Sequence, residues 1–245
     1  MKNFAVAFSA LFMILTSCSS DESSSSTTDP NEILPQKVVT QSTSGDYTDN
    51  FFYNGKKITK IESDDGQETV FTYTGNLITK VETFFDDELD ETELYAYDST
   101  GKLISYTVNN VTFPSFNSNE TYVHNTNGTI SFSNFDNGVL YSTGTFTFVG
   151  NDILNVVSNY VGISITSTNS YAYDTKLSPF KNIEGYKWYL IAGSENSSNG
   201  VDHNVLTFTD SETPSNGFTN VYTYNSLNFP NTVSVDGETS TFTYN

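Results

Sequence analysis

The two histidines, His124 and His203, are the side chains best suited to acid–base chemistry near neutral pH. His124 lies two residues after Tyr122, where similar segments of the chain carry an aromatic ring, so we expect it to replace a ring on a strand. His203 follows Asp202 in a polar segment that is typical of a solvated loop. The sequence contains no Gly-x-Ser-x-Gly, no His-Glu-x-x-His and no glycine-rich phosphate loop. It therefore predicts a protein that is not an enzyme.

Acidic side chains cluster between residues 86 and 93, and carboxylates are the oxygen ligands that Ca²⁺ requires. A weak Ca²⁺ site there would use Asp86, Asp87, Glu88 and Asp90. The order of these residues lacks the Asp-x-Asp-x-Asp-Gly spacing of a calcium-binding loop. We therefore favour a solvated hairpin return and predict no metal and no cofactor.

A third group of residues is aromatic and concentrates around Tyr186, Trp188 and Tyr189, of which Trp188 is the only tryptophan. Pro179-Phe180 precedes this group and ends any strand, so residues 174–204 read as an irregular insertion. Two interpretations remain open. The segment is a short helix or strand that plugs the open side of a sheet, or it is a patch that binds a ligand or a partner, because tyrosine and tryptophan stack on sugar rings and anchor interfaces.

The overall charge excludes one class of partner. The chain of 245 residues has a formal charge of −19 and contains no arginine. A strongly acidic protein repels the phosphate backbone, and it lacks the guanidinium group that reads guanine, so we predict no nucleic-acid binding. A single cysteine also excludes a disulfide within the chain.

The elements that must position these side chains are repeated β-hairpins. An aromatic-x-aromatic pair is followed by a turn that contains glycine and by a second strand with an aliphatic residue three positions after the glycine. The clearest copies begin at residues 51, 71, 95, 122, 146 and 171, and Phe242–Asn245 begins another. Alternation along a strand places both rings of a pair on one face. We expect that face to point inward.

The second strand of each unit poses a question of register. The aliphatic residues Ile58, Ile78, Ile104 and Ile153 lie three positions after a glycine, and a second apolar residue often lies three positions further on. Residues three apart fall on opposite faces of a regular strand, so either both faces are partly covered or a β-bulge restores the alternation. We favour partial cover of both faces.

The unit resembles the tyrosine–aspartate (YD) repeats of Rhs-type proteins, whose pattern is Tyr-x-Tyr-Asp-x-x-Gly-Lys/Arg-Leu. Residues 95–104 fit that pattern closely, and the other copies fit in part. The resemblance implies an all-β antiparallel meander of hairpins that forms a curled sheet or an open or half barrel. If the units stack in sequence order, the last strand is an edge, and we expect it to fray.

The N-terminus carries a positive residue, Lys2, and an apolar run from Phe4 to Leu15 that is too short to span a bilayer. The run ends in Leu15-Thr-Ser17-Cys18, which resembles the lipobox of bacterial lipoproteins. The resemblance implies cleavage between Ser17 and Cys18 and attachment of lipid to Cys18, so that the membrane is a partner through this anchor. With the repeats, the whole resembles small Bacteroidota surface lipoproteins.

The sequence after Cys18 bears on location. Ser19 stands where an aspartate commonly retains lipoproteins at the inner membrane, and residues 19–22 resemble the export signal of Bacteroidota surface lipoproteins. We therefore expect an outer-membrane protein that faces the cell exterior, with the periplasmic face as the second choice.

These observations divide the chain into a signal peptide at 1–17, a flexible Ser/Asp-rich tether at 18–35, and one β domain of YD-like repeats at 36–245. The predicted function is a cell-envelope lipoprotein that acts as a non-enzymatic binding or structural module. The alternative is an accessory or sensor protein that captures a glycan or a peptide, or binds an envelope protein, through Tyr186, Trp188 and Tyr189.

Overall fold

The computed structural model describes residues 29–193 and 199–245, which form an antiparallel β-meander. Its strands are β1 (Pro35–Gln41), β2 (Tyr47–Asn54), β3 (Lys57–Ser63), β4 (Gln67–Thr74), β5 (Leu77–Phe85), β6 (Glu88–Tyr97), β7 (Leu103–Asn110), β8 (Ser118–His124), β9 (Ile130–Asp136), β10 (Val139–Val149), β11 (Asp152–Tyr160), β12 (Thr166–Tyr173), β13 (Val205–Asp210), β14 (Phe218–Thr219), β15 (Val221–Tyr224), β16 (Pro230–Val235) and β17 (Glu238–Tyr244). Helical structure in these ranges consists of α1 (Lys187–Ile191) and short 3-10 turns at Pro30–Glu32, Pro114–Phe116 and Pro214–Asn216.

The meander closes on itself almost completely. The last strand, β17, pairs with β1, with Phe242 opposite Val38, and β1 also pairs with β2. One seam remains at Asn220, where β14 ends and β15 begins; the Asn220 backbone N–H donates to the carbonyl of Leu206 (2.8 Å). The fold is a nearly closed barrel with one unsealed seam. The predicted meander is confirmed, whereas the expected frayed C-terminal edge is wrong, because β17 has a neighbour on each side.

The aromatic pairs face the interior, as their period of two predicts. The first ring of each of the six clearest copies is buried: Phe51, Phe71, Tyr95, Tyr122, Phe146 and Tyr171. These rings form one core cluster with the aliphatic residues of the second strands. The core therefore follows the inner wall of the barrel from one hairpin to the next.

A recurrent bulge, and not cover on both faces, explains the spacing of the aliphatic residues. In the pair β2–β3, Phe52 lies opposite Lys60 and Tyr53 opposite Ile58, so Thr59 is an extra residue. The same shift recurs at Thr79, Ile104, Leu154, Leu206 and Asn231. One extra residue returns the strand to its original face, which is why Ile78 and Val81 are both fully buried.

The third unit corrects one further expectation. Ile104, three positions after Gly101, is the bulge residue of that hairpin and is exposed, whereas Leu103 is fully buried. Leu103 lies opposite Tyr97, as Ile58 lies opposite Tyr53, so the pairing with the second ring selects the buried residue. The number of residues after the glycine does not predict which residue of the second strand is buried, because the turns between the two strands differ in length.

The second member of most aromatic pairs ties its hairpin to a neighbour; Phe148, which has no hydroxyl group, makes no such bond. The Tyr97 hydroxyl donates to the carbonyl of Ile78 in the preceding hairpin (2.7 Å). His124 Nε2 makes the equivalent bond to the carbonyl of Leu103 (2.8 Å), which confirms that this histidine replaces a strand aromatic. Further examples of the same bond are Tyr53 to Pro35, Tyr173 to Ile153 and Tyr244 to Pro230. Hairpins are thus held together by side chains as well as by the ladder.

The folded domain begins a few residues earlier than the sequence suggests. Ile33 and Leu34 are buried, and β1 starts at Pro35, so the last residues of the segment 18–35 belong to the barrel. The Asn182 amide donates to the carbonyls of Pro30 (2.7 Å) and Ile33 (2.9 Å) and fixes this stretch to the insertion. Within the described ranges, no helix is both long and apolar enough to cross a membrane.

Candidate functional site

The insertion covers one end of the barrel. Residues 174–204 lie between β12 and β13, as predicted, and they contact the connections that follow the aromatic pairs. We name this end the capped end; its connections are 55–56, 75–76, 98–102, 125–129, 150–151, 174–204 and 225–229. The opposite end is named the open end; its connections are 42–46, 64–66, 86–87, 111–117, 137–138, 161–165, 211–217 and 236–237.

Backbone hydrogen bonds fix the insertion to the turns around it. The Glu184 N–H donates to the carbonyl of Lys56 (2.9 Å), and the Tyr73 hydroxyl donates to the carbonyl of Glu184 (3.0 Å). Gly185 has a positive φ of 77° and approaches Asn76 so closely that a Cβ would meet its carbonyl oxygen at 2.6 Å. The insertion is therefore seated on the barrel and is part of the rigid structure.

A buried carboxylate holds the far end of the insertion. Asp152 is 1% exposed, and its carboxylate accepts from His203 Nδ1 (2.7 Å) and from the backbone N–H of Asp202 (2.8 Å). The Ser178 hydroxyl donates to the carbonyl of Gly200 (2.7 Å) and joins the two limbs of the insertion. His203 therefore has a structural partner, which the expected solvated loop did not include. Its side chain nevertheless stays substantially open to solvent, as expected.

Trp188 lines a cleft of about 280 Å³ on the outside of this cap. Its ring packs edge-on against His124, with ring centroids 5.6 Å apart, and Lys187 Nζ lies 5.2 Å from the Trp188 centroid. Lys187 also donates to Asn151 Oδ1 (2.8 Å), and burial lowers the pKa of its ammonium group. Lys102 lies at the edge of the same cleft. The cleft combines an indole ring with two lysines and a histidine.

Tyr186 and Tyr189 do not join Trp188 in this cleft. Tyr186 is 4% exposed, and the Tyr189 ring meets the ring of Phe71 edge-on at 5.2 Å. Burial raises the pKa of both hydroxyls. The predicted group of three aromatic residues is therefore divided by α1: two rings enter the barrel and plug it, and Trp188 alone faces the cleft. The interpretation of the insertion as a plug holds for these two rings, and binding of a ligand or a partner at Trp188 stays a prediction.

Lys102, Lys187 and His124 were not predicted as site residues. Lys102 comes from the β6–β7 connection and His124 from the end of β8, so only the fold brings them to the insertion. The repeat offered one signal for His124. This residue occupies the second position of an aromatic pair, directly before a connection of the capped end. The placement of Lys187 beside Trp188 was visible as adjacency along the chain.

The inner wall carries two acidic side chains. Glu93 was expected in the solvated return at 86–93, and that expectation is wrong for this residue, because it shares the inward face of β6 with Tyr95; Glu120 was not singled out from the sequence. The Tyr95 hydroxyl donates to Glu93, and the Tyr122 hydroxyl donates to Glu120 in the next hairpin. Burial raises the pKa of Glu93 to about 7. Both glutamates lie two residues before an inward ring and therefore on the same face as that ring, which is the pattern that would have revealed them.

The acidic residues 86–90 lie at the open end. Asp86 and Asp87 form the β5–β6 turn with φ values of 49° and 66°, a two-residue hairpin connection. Across residues 29–193 and 199–245, no group of three or more His, Cys, Asp or Glu side chains is placed to hold a metal ion. Ser17 and Cys18 lie outside the described residues.

Comparisons with known proteins identify a similar fold but no family. No protein-family model matches the chain, and no curated protein sequence matches it. The crystal structure of a porin-like protein from Bacteroides uniformis superposes with a TM-score of 0.51 at 12% identity, over 86% of this chain and 96% of that one. A porin-like protein from Bacteroides vulgatus gives a TM-score of 0.41 at 9% identity, over 86% and 98%. The chain thus shares the barrel fold of the first protein.

Proposed function

We propose that this protein is a lipid-anchored lipoprotein of the cell envelope that acts as a non-enzymatic binding module. The observation that carries the proposal is the Trp188 cleft: a rigidly seated insertion presents the only tryptophan next to Lys102 and Lys187 in a strongly acidic protein. Positive side chains are scarce in this chain, and two of them border one aromatic cleft. Such a combination binds an aromatic-stacking ligand that carries negative charge.

Several observations support the envelope location. The lipobox-like segment ending at Cys18 implies an acylated N-terminus, and two or three acyl chains hold a protein on a membrane more firmly than one. The likeness of fold to a porin-like Bacteroides protein agrees with an outer-membrane setting. The first residues that the structure describes lie at the capped end, where the Asn182 amide donates to the carbonyl of Pro30, and this is the end that carries the cleft. Exposure on the cell exterior, as residues 19–22 suggest, is part of the proposal.

The repeat structure supports the resemblance to YD repeats. Each clear hairpin copy contributes one buried ring, and several add a bond from the second ring to a carbonyl of a neighbouring strand, as in the bond from Tyr97 to Ile78. Stability of such an array is approximately a sum over units and their interfaces. The array provides a rigid frame on which one connection, the insertion, has become a binding element.

Two observations support a non-enzymatic role. His124 is held by the carbonyl of Leu103 and by the Trp188 ring, and His203 is paired with the buried carboxylate of Asp152. Each histidine therefore has a structural task, and the Nε2 atom of His124 is not free to transfer a proton.

We assign the cleft to a glycan that carries acidic groups. An indole ring offers a flat apolar surface to a sugar ring, and Lys102 and Lys187 offer charge to a carboxylate or sulfate. Calorimetric titration of the protein with polygalacturonate, uncharged dextran and poly-glutamate tests this assignment. We expect heat of binding with polygalacturonate and none with dextran; binding of poly-glutamate alone would replace the glycan by an acidic peptide.

Charge variants identify the binding surface. Lys102→Ala and Lys187→Ala should each weaken polygalacturonate binding by at least about threefold, equivalent to the 0.5–1 kcal/mol of a partly exposed ion pair. Lys80→Ala is the matched control, because Lys80 lies on β5 and pairs with Glu82. Equal loss in all three variants would indicate a nonspecific charge effect, and no binding by the wild type would favour a structural module.

The anchor has its own test. Cys18→Ser should release the protein from the membrane fraction, because no sulfur remains to accept lipid. If the Cys18→Ser protein stays with the membranes, the lipoprotein assignment fails. For the outward orientation, changing Asp21 and Glu22 to Ala should reduce cleavage by protease added to intact cells. Unchanged cleavage would leave another export signal to be found.

A further inference from the structure

A second cavity lies inside the barrel, on the other side of the insertion from Trp188. The inner faces of β1, β2, β16 and β17 enclose it together with the insertion, and its volume is about 300 Å³. A smaller cavity of about 270 Å³ shares Asp49, Phe51 and Phe180 with it. We name the larger cavity the inner chamber. It shares no lining residue with the Trp188 cleft among the residues the structure describes.

Asn204 is a buried polar residue in the wall of the inner chamber, and it is 2% exposed. Its amide nitrogen donates to Asp174 Oδ2 (3.1 Å) and to the carbonyl of Leu177 (3.2 Å), which fixes the orientation of the amide. These bonds make this part of the wall rigid.

Polar groups and rings share the rest of the wall. The Thr40 and Ser240 hydroxyls lie 2.8 Å apart on β1 and β17 and face the chamber. The rings of Phe51, Phe180 and Phe242 supply flat apolar surface. Such a mixture of rings with hydroxyl, amide and carboxylate groups suits a ligand that has apolar faces and many hydroxyl donors.

The charges of the wall exclude acidic ligands. Asp49 and Glu238 line the chamber, and none of its described lining residues is a lysine or a histidine. The Asp49 carboxylate accepts from the Ser63 hydroxyl, and burial raises its pKa. Glu238 accepts from the Ser42 hydroxyl (2.7 Å). These carboxylates are acceptors for further donors, and the volume of about 300 Å³ suits a small ligand.

We propose that the inner chamber binds a neutral mono- or disaccharide, with sugar hydroxyls donating to the Asp49 and Glu238 carboxylates of the wall and a sugar ring stacked on the aromatic wall. A sugar supplies both the donors and the apolar ring faces, whereas a simple ammonium compound supplies donors alone. This site is additional to the Trp188 cleft and does not depend on it, because the two sites have different walls and select opposite charge.

Ligand-observed NMR with calorimetry tests the proposal on the full chain. The probes are glucose, galactose, mannose, N-acetylglucosamine, maltose and cellobiose, with glucuronate and choline as charged comparisons. We expect at least one neutral sugar to bind in the millimolar range or tighter, and glucuronate not to bind. Absence of binding across all six sugars overturns the proposal, and so does binding of choline in their place.

Variants locate the bound sugar. Val235→Trp puts a large ring at the chamber wall and should abolish sugar binding, or weaken it more than tenfold. Val139→Trp is the matched control, since Val139 is an exposed residue of β10 that does not line the chamber. Sugar binding that survives Val235→Trp contradicts the proposal. Lys102→Ala should leave sugar binding unchanged, whereas it weakens polygalacturonate binding.

Discussion

The two ends of the barrel differ in sequence, charge and packing. Five of the nine lysines in the described ranges lie in the connections of the capped end, and none lies in those of the open end. The open end carries acidic turns such as Asp64-Asp65 and Asp86-Asp87, together with exposed apolar residues. These exposed residues include Val111, Phe113, Phe116, Val161 and Ile163. The end that carries the positive side chains is therefore also the end that the insertion covers, whereas the acidic end exposes apolar side chains.

The difference follows from the repeat. The aromatic pair and its glycine turn recur at the capped end only, so that end presents a regular ring of backbone groups and rings. An insertion can be fixed to such a ring, as the bonds of Glu184 with Lys56 and Tyr73 show. The connections of the open end do not combine an aromatic pair with a glycine turn. The comparison teaches that a repeated turn provides a platform on which an insertion can be seated.

The largest expected effect concerns the packing beneath the cap. Phe71 is 6% exposed and contacts both Tyr186 and Tyr189, so Phe71→Ala should lower the free energy of unfolding by about 3–5 kcal/mol. Phe113→Ala, at the open end and 58% exposed, should change it by less than about 0.5 kcal/mol. Urea unfolding of both variants measures the difference. Similar losses would show that the two ends are packed alike.

Two glycines with nearly the same backbone angle provide a finer test. Gly185 (φ 77°) lies against Asn76 at the capped end, and Gly138 (φ 79°) lies in an open-end turn with no atom within 4 Å of a Cβ position. Gly138→Ala should cost about 1–2 kcal/mol, the penalty of the left-handed conformation alone. Gly185→Ala should cost more, by about 1–3 kcal/mol of strain. Equal thermal unfolding shifts would mean that the insertion is not seated on Asn76.

The buried acid predicts a pH dependence of stability. The pKa of Glu93 is raised from 4.5 to about 7, so the folded protein holds this proton more tightly than the unfolded chain does. Stability from this group is therefore complete below about pH 4.5 and is lost as the pH rises toward 7. Between pH 5 and 8, this group should lower the free energy of unfolding of the wild type by about 2–3 kcal/mol, and Glu93→Gln should not show that loss. Glu88→Gln, exposed at the open end, is the control and should follow the wild type.

The closure of the barrel predicts a smaller effect. The Tyr244 hydroxyl donates to the carbonyl of Pro230 (2.8 Å), as Tyr97 does to Ile78 in the middle of the meander. Tyr244→Phe and Tyr97→Phe should each cost about 1 kcal/mol, the net contribution of one hydrogen bond. The exposed Tyr141 offers the control variant Tyr141→Phe. A measurable loss for Tyr97→Phe with none for Tyr244→Phe would restore the frayed edge that the sequence suggested.

Local features of this fold were predictable, and non-local ones were not. The period of two placed the rings of Phe51, Phe71 and Tyr95 inside, and the loss of repeat rhythm located the insertion at 174–204. The β-bulges were left undecided because a spacing of three residues fits two arrangements. Closure escaped prediction because the contact of Val38 with Phe242 joins residues about 200 positions apart, and no local pattern encodes such a pairing.

The candidate site was predicted in part for a similar reason. The aromatic cluster marked the right segment, but α1 has only five residues, too few for a periodic pattern that would tell Trp188 from Tyr186 and Tyr189. Lys102 and His124 reach the cleft only because the hairpins that carry them pack beside the insertion. In the sequence these residues lie far from Trp188, so their proximity could not be predicted.

Tryptophan emission tests the central claim, that the capped end carries the ligand site. Trp188 is the only tryptophan, so the emission of the whole protein reports on the cleft. Titration with polygalacturonate should give a saturable shift in emission that is weakened in Lys102→Ala and retained in Lys80→Ala. An emission spectrum that does not change at ligand concentrations where calorimetry records binding would place the ligand elsewhere and contradict the account.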